Sequence, residues 1–370
     1  MSKAKTVFII AGEVSGDIYA AELIKKMKSE GKALRVLGFG GPKMEESGCE
    51  ILHNMMPLAT IGFTGVLKKP FVFFQLLAKL KFLLRDHKPD AVIFVDYGGF
   101  NLRAAKVAKT EGLKTIYYIS PKIWAWNEAR IFQIKRWVDK VLLIFPFEED
   151  FYKKRNYHQV VYVGNPLLDR EDFSNVPLRS FPPVSKQIGL LPGSRAKEIE
   201  RHLPEMLKSI SSFPEEYEFV VSAANDMCKD QIERIMAKQK VFLKVQMSAT
   251  DIMKESAAVI VASGTASLEC ACIGVPMIVI YKTSWINFFI AKILVNIKYV
   301  CLVNILSKKA VVPEFLQHRA KAGIIARATL RILRDQKIYD RVVKDMDEVK
   351  SQLKGGGVSQ RAAEEILREI

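Results

Sequence analysis

The sequence is poor in the residues from which metal and redox sites are built. Only five histidines and five cysteines occur in 370 residues. There is no H-E-x-x-H spacing and no C-x-x-C pair, so neither a bound metal nor another cofactor is expected. Cys49, Cys228, Cys270, Cys272 and Cys301 are odd in number and scattered, which fits a reducing compartment better than a disulfide framework. Met1 to Lys5 lead straight into a strand-like stretch with no apolar h-region, so a signal peptide is not expected and a cytoplasmic location is. The first βα turn, AGEVSGD over 11–17, lacks G-x-G-x-x-G, which argues against an NAD(P) dehydrogenase. No arginine-rich run or RNP-type aromatic pattern is found, which argues against nucleic acid as a partner. Repeats and low-complexity tracts are also missing.

What is there in excess is positive charge. Lys and Arg number 56 against 40 Asp and Glu, a net +16. Such a chain calls for a partner of opposite sign, and the dispersal of the basic residues favours lipid or phosphate. Hydrophobic content of 49% and charged content of 26% describe a globular protein whose length suggests two domains.

Apolar runs alternate with helix-length segments. Strands are expected at 6–11, 33–38, 91–96, 114–119, 140–144 and 160–163, and again at 187–191, 217–223, 241–245, 257–262 and 276–281. A Pro-containing linker from Glu171 to Lys186 separates the two series. Strands spaced by helices indicate parallel sheets covered on both faces. The class is α/β: two Rossmann-like, doubly wound domains over 1–176 and 185–340, facing a central cleft. The helical tail 341–370, interrupted by Gly355-Gly356-Gly357, is expected to return to the first domain. Ligands of such sheets bind at the strand C-termini.

Three turns at those termini carry chemistry. LLPGSR (190–195) runs from a buried strand into a helix, offering free N–H groups, the Ser194 hydroxyl and the Arg195 guanidinium. That is an anion site, although a plain βα turn with a solvated Arg has the same sequence. Ser263-Gly264-Thr265 opens a second such helix, with Glu269 one turn in and suited to a ribose diol. Two such turns in one domain, with Arg195 opposite, specify a diphosphate-bearing nucleotide better than either alone. The third is Asp96, at the end of the buried run 91–95 and beside Gly98 and Gly99. It stands where a general base belongs, or else begins an Asx-turn. In the first turn Glu13 and Asp17 repel a pyrophosphate and suit hydroxyl-rich ligands, unless Ser15 or Asp17 simply caps the helix.

The segments AGEVSGD (11–17), GFGGPKM (38–44), VDYGGFN (95–101), YYISPKIWAW (117–126), FPFEEDFY (145–152), VGNPLLD (163–169), LLPGSR (190–195), SGTASLE (263–269) and PEFLQ (313–317) together resemble the lipid A disaccharide synthase family, in order and over nearly the whole chain. The resemblance implies a GT-B glycosyltransferase that inverts at the anomeric carbon without a metal. The implied donor is UDP-2,3-diacylglucosamine, the acceptor 2,3-diacylglucosamine 1-phosphate, and the products UDP and a β-1′,6-linked disaccharide. It makes Asp96 and Arg195 essential and places Ser194, Arg195, Ser263, Gly264 and Thr265 on the UDP diphosphate. Glu269 falls on the ribose. It adds Glu13, as a catalytic position, and Asn304 and Gln317 toward the donor. The first domain would bind the acceptor and the second the donor. Asn165 stands where the family often has His, so it is given no acid–base role. Gly98 replaces a frequent Pro, so a more flexible loop is expected after Asp96. The alternatives are another UDP-sugar enzyme of GT-B type, such as a 2-epimerase or hexosaminyltransferase, and a basic lipid- or nucleic-acid-binding scaffold on a degenerate nucleotide fold.

The stretch 58–84 is apolar but broken by Lys68, Lys69, Pro70, Lys79 and Lys81, so it does not span a bilayer. On a helical wheel Lys68, Gln75, Lys79 and Asp86 form one narrow polar stripe. An outward apolar face including Val66, Phe71, Phe73, Leu76 and Leu80 is expected to dock on the anionic inner membrane from its cytoplasmic side. A helix buried against a dimer partner is the other reading. The segment 285–300 is a second candidate for the membrane contact.

Overall fold

Runs such as Val7-Phe8-Ile9-Ile10 and Val92-Ile93-Phe94-Val95 have no polar face, so they are stable only where helices cover both sides of the sheet, and all eight residues are fully buried. The computed structural model describes residues 5–30, 33–57, 70–125, 127–174, 176–284 and 298–370. It divides into two units, Met1–Asp169 with Leu353–Ile370, and Arg170–Gln352.

In the first unit the strands are β1 (Lys5–Ala11), β2 (Leu34–Gly40), β3 (Glu50–Asn54), β4 (Ala91–Val95), β5 (Lys114–Tyr118), β6 (Lys140–Leu143) and β7 (Val160–Tyr162). They form one parallel sheet in the order β3-β2-β1-β4-β5-β6-β7. Its helices are α1 (Val14–Ser29), α2 (Pro42–Glu46), α3 (Pro70–His87), α4 (Gly98–Thr110), α5 (Ile131–Trp137) and α6 (Pro146–Lys153). Phe8, Phe39, Phe94 and Tyr117 from the sheet meet Leu76, Leu80 and Leu84 from α3 in one core.

The second unit repeats the plan. Strands β8 (Gln187–Leu191), β9 (Glu218–Ser222), β10 (Lys244–Gln246), β11 (Ala258–Ala262), β12 (Met277–Tyr281) and β13 (Glu314–Leu316) are parallel, in the order β10-β9-β8-β11-β12-β13. Helices α7 (Glu171–Ser174), α8 (Ala196–Ser209), α9 (Asp226–Gln239), α10 (Ala249–Glu255), α11 (Thr265–Ile273), α12 (Leu302–Ser307), α13 (Ala322–Arg334) and α14 (Gln336–Gln352) complete it. Beyond them α15 (Val358–Leu367) packs on α1 in the first unit. The edge strands β3 and β13 are the two that the sequence pattern did not announce.

Two carboxylates organise helix starts far from themselves in sequence. Asp17, on α1, is buried and caps α2 rather than its own helix. It accepts the backbone N–H groups of Gly41 (2.8 Å), Lys43 (3.0 Å) and Met44 (3.2 Å). Asp169 does the same for α15, accepting from Val358 (2.8 Å) and Ser359 (2.7 Å). These are the free N–H groups that every helix start must place. Replacing Asp17 by Ala strands three donors at once. The expected loss is about 2–4 kcal/mol of unfolding free energy in urea titrations, and an unchanged midpoint would show that water replaces the carboxylate.

Candidate functional site

Each sheet reverses its winding direction once, between β1 and β4 in the first and between β8 and β11 in the second. At such a switch point the adjacent connections leave on opposite faces and open a crevice at the strand C-termini. Register decides what lines it. Ala11 lies opposite Val95, so Gly12-Glu13 and Asp96-Tyr97 leave the first sheet side by side. Leu191 lies opposite Val261, which does the same for Pro192–Arg195 and Ser263–Thr265. Glu13, Asp96, Ser194, Arg195 and the Ser263–Thr265 turn thus fall at the two switch points.

Asp96 (φ 47°) and Tyr97 (φ 49°) are consecutive left-handed residues, a conformation that costs free energy for any side chain beyond Cα. Donors hold it in place. The Asn101 amide donates to the carbonyls of Asp96 (2.8 Å), Val95 (3.2 Å) and Ile10 (3.3 Å). The Tyr117 hydroxyl donates to the Asp96 carbonyl at 2.6 Å. Burial first, then the Asp96 charge, pushes that hydroxyl well above its usual pKa. The Tyr97 ring lies where a side chain on Gly12 would stand, 2.1 Å from the nearest ring carbon. Burial, then the Glu13 charge, raises the Tyr97 pKa. Gly98 opens α4, and a Cβ there would meet Pro121 at 2.5 Å. Asn165 is buried and turns its Oδ1 to the Leu167 N–H at 3.1 Å.

In the second unit Gly193 has φ +115°, and a side chain there would strike Glu198. Arg195 is the N-cap of α8, and its guanidinium, about half exposed, donates to Glu198 at 3.1 Å. The Ser194 N–H also points to Glu198, at 3.3 Å. Ser263 donates from its hydroxyl to the Val300 carbonyl at 3.2 Å. Gly264 and Thr265, at the start of α11, are exposed. A Cβ on Gly264 would meet no atom of the described residues within 4 Å, so nothing among them demands glycine there. Glu269 is half-buried on the same helix, where burial raises its pKa against the opposing charge of Arg170.

Asn304 corrects the sequence reading. It is buried, its amide donates to the Val312 carbonyl (2.9 Å) and Glu314 (2.6 Å), and its oxygen accepts from Val311 (2.8 Å) and Val312 (3.0 Å). That uses its full hydrogen-bonding capacity and leaves none for a donor nucleotide. Its task is to shape the 311–314 segment that feeds β13. Gln317 spends its amide on the backbone of Thr283 (3.1 and 3.2 Å). It nevertheless lines a cavity of about 470 Å³ with Arg201, Lys282, His318 and Lys321.

His202 was missed. It sits on the apolar side of α8 with Ile199, Leu203 and Met206, all buried. Its Nδ1 meets the Pro192 carbonyl and its Nε2 accepts the Lys282 N–H, both at 2.9 Å. It therefore ties the Pro192–Arg195 turn to the segment after β12, and one ring nitrogen must carry a proton while the other must not. Only its 80-residue-distant partner reveals this, and periodicity marks it as core.

The membrane-facing residues are also revised. Leu76 and Leu80 are buried with Leu84, and Phe73 is half-buried, edge-on to Phe100. The exposed apolar stripe of α3 is Phe71 (72% exposed), Phe74 (68%) and Phe82 (68%). Lys79 reaches the Leu52 carbonyl, and Lys81 and Arg85 pair with Glu111. Val66 and most of 285–300 lie outside the described residues. Among the described residues no helix is long and apolar enough to cross a membrane, and no three His, Cys, Asp or Glu could hold a metal ion. The five cysteines are buried, and burial pushes the thiols of Cys49 and Cys272 up to about 12 and that of Cys301 to about 11, too high for nucleophiles.

The profile of the lipid-A-disaccharide synthetase family matches residues 7–370. The lipid-A-disaccharide synthase of Trichlorobacter lovleyi is 38% identical over 379 residues, covering 100% of this chain and 99% of the relative. Among solved structures, the calicheamicin glycosyltransferase CalG4 aligns with a TM-score of 0.63 at 12% identity, over 100% of this chain and 98% of its own. A UDP-N-acetylglucosamine 2-epimerase aligns at 0.62 with 14% identity, over 99% and 96%. The fold is GT-B.

The His202 pair of hydrogen bonds has a pH signature. Burial lowers its pKa from 6.5, so the folded state favours the neutral ring and the unfolded chain takes up the proton first. Its contribution to stability is complete above about 6.5 and is lost as pH falls toward the lowered value. Thermal melts between pH 7.5 and 5 should fall more steeply for the wild type than for His202→Asn, whose amide also offers one donor and one acceptor. Parallel curves would remove His202 as the source.

Proposed function

Because the chain belongs to the lipid-A-disaccharide synthetase family, and is a glycosyltransferase forming the lipid A disaccharide, we propose a division of its reaction between the two units. The substrates are UDP-2,3-diacylglucosamine and 2,3-diacylglucosamine 1-phosphate, and the first unit supplies the base. The acceptor 6-hydroxyl attacks the anomeric carbon from the face opposite UDP, and the anomeric C–O bond to the diphosphate breaks. The proton goes to Asp96 and UDP leaves, so an α-linked donor gives a β-1′,6 product. What carries this reading is the Asp96-Tyr97 pair, held left-handed by Asn101 and Tyr117. Left-handed residues kept in place by surrounding donors cluster at functional sites, which supports Asp96 as the base. Glu13, one strand away, is suited to the acceptor hydroxyls.

The second unit holds the donor. The starts of α8 and α11 present N–H groups, Arg195 presents its guanidinium, and Ser194, Ser263 and Thr265 add hydroxyls. Together they take up the charge that grows on UDP as the bond breaks, without a metal. Gly264 lets the diphosphate approach the backbone, and Glu269 accepts from the ribose hydroxyls. A 2-epimerase shares this fold, but the family match favours transfer.

The cytoplasmic face of the inner membrane is the working place that suits acylated substrates. Phe71, Phe74 and Phe82 are the anchors we assign, each worth roughly 1.5–3 kcal/mol when buried in the interface.

Asp96→Asn keeps the shape but cannot accept the proton. It should bind UDP as the wild type does in calorimetric titration, while disaccharide formation drops by about 10²-fold or more. Near-normal turnover would remove Asp96 as the base. For the membrane, Phe71→Ser, Phe74→Ser and Phe82→Ser combined should release the protein from anionic vesicles in flotation assays and leave its melting temperature within a few degrees. Unfolding or precipitation instead would mark this face as core.

A further inference from the structure

The second unit carries a pocket that the reaction leaves unused. It has a volume of about 390 Å³ and lies among the 310–315 segment, α13 and α14. Val311, Phe315 and Ile324 are among its apolar walls, with Ile338 on α14. Three arginines, Arg327, Arg331 and Arg341, complete the lining, and no Asp or Glu does. Arg327 and Arg331 are one turn apart on α13, the spacing that sets both on one face, and all three arginines are exposed. None forms an ion pair or hydrogen bond with another described residue, although Arg35, Arg85, Arg155 and Arg368 each have a carboxylate partner.

We propose that this pocket binds one anionic phospholipid, with an acyl chain among the apolar walls and the phosphate on Arg327, Arg331 and Arg341. Its size is that of a ligand pocket. Arginine stems extend an apolar wall while the guanidinium stays in water, and the planar fork suits a phosphate. The lining also selects against other occupants. No Ser, Thr, Asn, Gln, Tyr or His faces the pocket. A peptide laid in it would have its backbone N–H groups without side-chain acceptors, which is costly. An acyl chain needs no such partner, and the negative charge it requires of its head group is what three unmatched guanidiniums attract. Free inorganic phosphate has the charge but nothing for the walls.

The test uses the full chain carrying Phe71→Ser, Phe74→Ser and Phe82→Ser, so that the α3 stripe contributes no lipid binding. Monomeric dihexanoyl-phosphatidylglycerol is titrated in and followed by calorimetry and native mass spectrometry. One molecule is expected to bind per chain. Dihexanoyl-phosphatidylcholine and inorganic phosphate should each bind at least tenfold more weakly. Arg327→Gln, Arg331→Gln and Arg341→Gln combined should weaken the anionic lipid about 100-fold, at about fivefold for each charge near the head group. Ile338→Asp should abolish it while circular dichroism remains unchanged. Phosphate binding as tightly as the lipid would reduce the site to an anion patch. Unaltered lipid binding in the triple arginine variant, or loss of a dimer in place of loss of lipid, would overturn the proposal.

Discussion

A parallel sheet sends every strand out through the same edge, and that constraint governs this molecule. Each strand must be followed by a crossover, so the C-terminal edge collects loops and helix starts while the opposite edge collects helix ends. The starts bring unpaired N–H groups and positive potential. A chain built this way twice concentrates binding capacity for anions and hydroxyls at two edges before any particular side chain is chosen. The order β3-β2-β1-β4-β5-β6-β7 and its counterpart in the second unit then open one crevice in each edge. Glu13 with Asp96, and Arg195 with Ser263 to Thr265, are the side chains placed there.

Two kinds of helix start appear in this protein, and they are treated in opposite ways. Those of α2 and α15 are closed by Asp17 and Asp169, permanent internal anions that make these ends structural. At α11 the N-cap is Gly264, which offers no side-chain acceptor. The start of α8 is intermediate, because Glu198 shares the Ser194 N–H and the Arg195 guanidinium. Whether a helix end is scaffold or site is decided by whether the chain supplies its own carboxylate.

The same distinction explains what was legible in the sequence. The central strands are continuous apolar runs, which only a doubly covered sheet produces, and the turns after them could be read directly. The strands β3 and β13 have no fully buried residue and carry Glu50, His53 and Glu314, so they do not stand out. Position relative to a strand end was enough to place Asp96 and Arg195 beside the switch points. It was not enough for Asp17, His202 or Asn304, whose roles are set by Gly41, Lys282 and Val311. For α3 the wheel identified an apolar helix but not its covered side. Leucines at 76, 80 and 84 and phenylalanines at 71, 74 and 82 are equally apolar, and only the core beneath the leucines separates them.

The capping of α15 by Asp169 also has a temporal side. Asp169 and Val358 are 189 positions apart, and α15 covers α1 against the first sheet. During synthesis the strands of the first unit are finished long before residues 353–370 exist. Until then the face of α1 that α15 covers has no cover from its own chain, although a whole second sheet lies between the two in sequence. Contacts of such long sequence separation form late, so the first unit is completed only by the last segment of the chain to be made.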